Sequence, residues 1–201
     1  MRARERRQSG RLTRRELKQT LSGPARKWVK RVWEAAALAS GEMDRLSPVT
    51  TPLGNRLVES YAHARQLDGG EIERALRIAT VAGYASRVVL AEPTEQPSPK
   101  PSAFQLTAHP DVERLAADVT RLVDPVRDIA SHRFDSVMTL PPEVWTAYVA
   151  TATMKLQGQL VTKTLPWQEI GRERIEQMLR YGYVLRCLDE VIGAEPDRRE
   201  I

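Results

Sequence analysis

Apolar residues recur at the spacing of an α-helix in nearly every segment of this chain, and the period-two alternation of a half-buried strand is nearly absent. That restricts the fold to packed helices. From Glu71 to Ala91, the residues Ile72, Leu76, Ile78, Ala79, Val81, Ala82, Val88, Val89 and Leu90 surround most of the helix circumference, leaving a narrow stripe of Glu73, Arg77, Thr80, Tyr84 and Arg87. From about Gln168 to Ile192, a single stripe of Ile170, Ile175, Met178, Tyr181, Gly182, Leu185, Leu188 and Ile192 runs until Gly193 and Pro196 stop it. Arg174 and Asp189 project within that stripe, where a lone charge is costly, so each requires a partner from another helix, a second subunit or solvent.

The other helices follow from caps and breakers. Thr13 caps a short helix ending near Leu21, and Pro24 opens a second that runs to about Ser40 before Gly41. In the latter, Ala25, Trp28, Val29, Val32, Trp33, Ala36 and Ala39 share one side, while Arg26, Lys27, Lys30 and Arg31 gather on the other. Ser47-Pro48 offers a helix start, but Pro52 and Gly54 interrupt it, which leaves Asn55 to Leu67. His109-Pro110-Asp111 starts a helix that bends at Pro125 and continues to about His132. Pro141-Pro142-Glu143 opens a long helix to about Leu165, poor in charge, which reads as the central helix of the second half.

Four prolines between Pro93 and Pro101 forbid both a helix and a central strand there. The expected fold is therefore all-α, with about six substantial helices in two three-helix halves joined by a proline-rich linker. Residues 1–91 form a basic helical region whose first ten residues are a mobile, disordered arm; residues 92–101 are the linker or loop; residues 102–201 are an acidic helical domain ending in a solvated tail from Glu195. Three helices on each side would equally pack as one bundle, with the proline stretch as an external loop.

Charge is divided more sharply than pattern. Residues 1–91 hold 18 Lys and Arg against 9 Asp and Glu, a balance of +9, whereas residues 92–201 hold 13 against 17, a balance of −4. The first 31 residues alone carry 12 basic residues against Glu5 and Glu16. Such a concentration suits a polyanion, since Lys and Arg gain affinity by releasing the counterions condensed on phosphates. The expected nucleic-acid contacts are Arg14, Arg15, Lys18, Arg26, Lys27, Lys30 and Arg31. Residues 102–201 are expected to serve beside them as a partner-binding or self-association domain, and an alternative expectation is a structural or adaptor subunit whose basic segment docks an acidic protein surface. In that case a protein partner or second copy meets an exposed apolar patch around Trp145, Tyr148 and Trp167.

The run from Leu12 to Pro24, leading into Trp28-Val29-Lys30-Arg31-Val32, resembles a helix-turn-helix over about 20 residues. The resemblance implies a turn at Ser22-Gly23 and a recognition helix with Trp28 and Val29 facing inward. The usual small buried residue of the first helix has no clear equivalent, and two ordinary consecutive helices fit the same residues. Trp28 and Trp33 beside Arg and Lys also fit a helix lying on a membrane surface, or simply a helix that covers the one from Glu71 to Ala91.

Catalytic material is thin, and neither catalytic residues nor a cofactor is assigned. Glu59 with His63, and Asp128 with His132, place a carboxylate and an imidazole four apart on one helical face, a metal-compatible spacing. Salt bridging on helix surfaces explains such pairs as well, and no metal ligand is assigned. A small helical metal protein or enzyme is the third expectation. Ser60, Ser86, Ser131 and Ser136 lack a nucleophile-elbow context, and the only cysteine is Cys187. One cysteine permits no internal disulfide, and no run of about 18 uncharged apolar residues offers a membrane span. A cytoplasmic location, with no integral membrane segment, is the expectation.

Overall fold

The computed structural model describes Gly23, Lys27, Lys30, Met43 and residues 46–67, 69–90, 119–140, 142–158 and 170–193. The arm at 1–10, the short helix after Thr13, the linker at 92–101, the start of the helix at His109 and the tail from Glu195 lie outside the described residues. The described elements are helical: α1 (Thr50–Ala64), α2 (Gly70–Leu90), a 3-10 turn (Val119–Leu122), α3 (Val123–His132), the single-turn α4 (Phe134–Val137), α5 (Pro142–Gly158) and α6 (Arg172–Ile192). No strand occurs among the described residues.

Two supposed interruptions are absorbed by α1. Pro52 is its third residue, in the first turn, where an amide hydrogen has no acceptor within the helix. Gly54 marks a close approach: a Cβ there would overlap the Met43 side chain and lie 3.2 Å from Leu185 Cδ1. Ser47 prepares the start, since its Oγ accepts the Thr50 amide (3.2 Å) and its carbonyl accepts that of Thr51 (3.0 Å). Pro125 likewise falls in the first turn of α3, and the expected bend is a change from 3-10 to α geometry. Gly193 does stop α6, in the left-handed conformation (φ 70°), with its amide donating to the Asp189 carbonyl.

The central helix is α6, not the segment that follows Pro141. It packs against α1, α2, α3, α4 and α5, whereas α5 lies on one side of it. From Tyr181 to Asp189 only Arg186 escapes full burial. One buried cluster joins Leu53, Leu57 and Val58 of α1, Leu76 and Ala79 of α2, and Met178, Leu179, Leu185 and Leu188 of α6. Helices from both sides of the proline stretch therefore share a core, and the described residues do not sort into two separately closed halves.

The tightest contact in that core is between α2 and α6. A Cβ on Gly83 would overlap the Leu179 carbonyl, and one on Gly182 would overlap the Thr80 carbonyl and sit 2.5 Å from the Tyr84 nitrogen. The two backbones touch with no side chain between them. As a result, the C-terminal part of the polar stripe of α2 faces α6: Thr80, Tyr84 and Arg87 are 6% exposed or less. Each has an internal partner, Thr80 through its own helix, where its Oγ1 donates to the Leu76 carbonyl (3.0 Å).

Gly83→Ala and Gly182→Ala should each destabilise the protein by about 3 kcal/mol, because the added methyl meets backbone and cannot be accommodated by a rotamer change. Gly70→Ala, with nothing within 4 Å, should stay within about 0.5 kcal/mol of the parent. Urea unfolding of the three variants checks this; small and equal effects would remove the close crossing from the account.

Candidate functional site

Of the seven basic residues expected to meet nucleic acid, Lys27 and Lys30 are described: both have α-helical backbone and exposed side chains. Gly23, also helical and exposed, stands four residues before Lys27 and seven before Lys30, a spacing that brings positions to one side of an α-helix. Arg14, Arg15, Lys18, Arg26 and Arg31 lie outside the described residues. Helical backbone at Gly23 puts the start of the second helix at least one residue ahead of Pro24, and Ser22, the other residue of the expected turn, lies outside the described residues. Glycine in a helix costs only about 1 kcal/mol relative to alanine and so is a weak breaker.

The expected apolar docking patch is not on the surface. Trp145 and Tyr148 are 4% and 0% exposed. Trp145 packs on Phe134 (ring centroids 4.8 Å), Tyr183 (5.7 Å) and Tyr148 (5.8 Å), and Phe134 meets Tyr183 edge-on at 5.4 Å. The Tyr148 hydroxyl donates to the Ala82 carbonyl at 2.8 Å. These rings tie α5 and α4 to α6, so their burial stabilises this chain's own fold. Trp167 lies outside the described residues. Among the described residues, Met154 is the one large exposed hydrophobic, at 37%.

The acid and histidine pairs are engaged elsewhere. Arg77 Nη2 bonds Glu59 at 3.2 Å and Arg133 pairs with Asp128, while His63 and His132 are exposed. No group of three or more His, Cys, Asp and Glu side chains suited to a metal occurs among the described residues. Ser60 and Ser131 accept hydrogen bonds from Arg127 and Gln177, and Ser86 and Ser136 donate to backbone carbonyls. Burial pushes the Cys187 thiol up to about 12, with nearby Arg87 opposing the shift. At neutral pH it is therefore a core thiol and not a nucleophile.

The most unusual chemistry lies inside the bundle, at the charge that violates the stripe of α6. Asp189 is 0% exposed. Its Oδ1 accepts the Ser47 hydroxyl at 2.6 Å, and its Oδ2 accepts the Tyr84 hydroxyl at 2.6 Å and that of Thr50 at 3.0 Å. Ser47 and Thr50 come from the start of α1, Tyr84 from α2. Among the described residues, no cation forms an ion pair with the carboxylate. Burial raises its pKa above the ordinary carboxylate value, while the hydroxyls of Ser47, Tyr84 and Thr50, and then the charge of Arg186, pull it back. Tyr84 is pushed up too, chiefly by burial and then by Asp189.

A second polar group lies on the same helix pair. Arg87 forks onto Glu190 through Nε (3.2 Å) and Nη2 (2.9 Å), and its Nη1 donates to Thr139 Oγ1 (2.6 Å) and the Tyr183 hydroxyl (3.3 Å). Arg186 bridges the two groups: its guanidinium lies 5.8 Å from the Tyr84 ring centroid and its Nε 3.5 Å from Glu190 Oε1. Among the described residues, the buried Nε and Nη1 of Arg186 find no hydrogen-bond acceptor. Of all these residues, the sequence signalled Asp189 and, as part of the polar stripe, Tyr84 and Arg87; Ser47, Thr50, Thr139, Tyr183 and Glu190 carry no signal that would single them out. Arg174, the other charge in the stripe, is only partly buried.

No family model, curated protein or solved structure matches the chain.

Because the folded pKa of Asp189 is raised, its contribution to stability is largest below the unfolded carboxyl value near ~3.9 and declines as pH rises through the folded value. Urea unfolding of wild type and Asp189→Asn across pH 3 to 8, about the range in which such a group titrates, should show the difference shifting against wild type as pH increases. A difference moving in favour of wild type would mean that the three hydroxyls outweigh burial.

Proposed function

We propose that this is a helical nucleic-acid-binding protein that acts by binding and not by catalysis, through its basic N-terminal region. Its carrying observation is the placement of 12 basic against two acidic residues in the first 31. Exposure of Lys27 and Lys30 on one side of a helix supports the reading, since basic groups so placed can follow a phosphate backbone. The acidic second half is then the scaffold behind this surface, with negative charge that keeps the polyanion to one end of the chain. Among the described residues, no helix is long and apolar enough to cross a membrane.

Fluorescence anisotropy with labelled duplex DNA and RNA at low salt tests the proposal. Affinity should fall linearly with the logarithm of salt concentration, and Lys27→Gln with Lys30→Gln should flatten that slope by about 1 to 2 units. Replacing all seven basic residues by glutamine should abolish binding. No affinity for either nucleic acid at low salt, or affinity that survives the seven replacements, would overturn the proposal.

A further inference from the structure

Leu46, Ser47 and Thr50 are buried at the point where the chain leading from the basic region enters the bundle. The segment Leu46-Ser-Pro-Val-Thr-Thr51 contains no charged side chain. Its polar attachment to α6 is the pair of hydroxyl bonds from Ser47 and Thr50 to Asp189. Its own amides are held locally: Leu46 donates to the Met43 carbonyl (3.1 Å), Thr50 to Ser47 Oγ and Thr51 to the Ser47 carbonyl. This attachment differs in kind from the crossing of α2 with α6. There, glycines put backbone directly against backbone. At Asp189 the two strap hydroxyls can be replaced by two waters, while Tyr84 keeps its bond.

We infer that residues 46–50 form a strap that closes over Asp189 and opens without the α2–α6 crossing parting, so that Asp189 is the positioning residue that sets how firmly the chain leading to the basic segment is held. Among the described residues, the titratable and charged groups acting on the carboxylate are Tyr84 on α2 and Arg186 on α6, and residues 46–51 contribute none that titrates. Closing the strap removes water from a charge and gives it only neutral donors in return. The ionised carboxylate thus favours the open strap more than the protonated one does, and a falling pH tightens closure.

Amide hydrogen exchange on the full-length chain tests the strap. In wild type, the Leu46, Thr50 and Thr51 amides should exchange at least about tenfold faster, after correction for intrinsic rates, than those at the centres of α2 and α6. Ser47→Ala with Thr50→Val should speed the Leu46 and Thr51 amides, whose backbone acceptors the replacements leave in place, by about tenfold or more and leave the α2 and α6 centres within about twofold. Lowering the pH from 7 toward 5 should slow strap opening in wild type and leave it unchanged in Asp189→Asn. If the strap amides exchange in step with α2 and α6 in wild type, or if the double variant accelerates all three equally, residues 46–50 are an ordinary corner of the core and the inference fails. A strap rate indifferent to pH in wild type would remove Asp189 from it. Should Asp189→Asn not fold, the double variant retains the carboxylate and its pH response, expected to be weaker than that of wild type, takes the place of that comparison; an equal response would contradict the inference.

Discussion

Two glycines, one on α2 and one on α6, each laid against the other helix's backbone, set the geometry on which the rest of this bundle depends. With no side chain at Gly83 or Gly182, the helices approach until backbone meets backbone, and every residue flanking the crossing is carried into the interior. Burial of apolar neighbours such as Leu179 is favourable without further conditions. Burial of Thr80, Tyr84 and Arg87 is not, and their hydrogen bonds follow from that constraint. Arg87 is tolerable because each of its three guanidinium nitrogens meets an acceptor, Nε and Nη2 at Glu190 and Nη1 at Thr139 and Tyr183.

Asp189 meets the same constraint with weaker partners. A buried carboxylate loses several kcal/mol of hydration, and a directly bonded cation is the usual remedy. Here three hydroxyls from two other helical elements take that place, at distances as short as 2.6 Å, with Arg186 acting through space. The carboxylate thereby specifies an arrangement: it can be satisfied only if the start of α1 and the middle of α2 arrive at the same turn of α6. The sequence separations of these bonds, 142, 139 and 105 residues, tie the beginning of the bundle to its end.

The sequence was legible wherever local rules decide. Periodicity located α2 almost to the residue and the end of α6, whose start at Arg172 falls four residues after the expected Gln168; Gly193 ended α6 through its left-handed conformation, and an apolar stripe containing Asp189 announced an internal partner. It was misleading where tertiary contact overrides a local preference. Pro52 and Gly54 read as breakers, yet one sits where the helix has no hydrogen bond to lose and the other where a neighbour leaves no room for a side chain. The polar stripe of α2 read as its narrow polar face because periodicity cannot tell a solvated Arg from one clasped by Glu190. Trp145 and Tyr148 read as a patch because the rings that cover them come from α4 and α6, an arrangement no local pattern records. The basic region was read from charge alone, and charge names a class of partner without naming its geometry.

The central claim is that helices from both sides of the proline stretch close one core through the α2–α6 crossing. Residues 102–201 expressed alone would lack α1 and α2, and α6 would expose Gly182, Leu185 and an unpartnered Asp189. Near-ultraviolet circular dichroism and urea unfolding of that fragment test the claim most directly. The account predicts a helical but loosely packed fragment, with no near-ultraviolet signal and no cooperative transition. A fragment that unfolds cooperatively, with the aromatic signal of the intact chain, would contradict it.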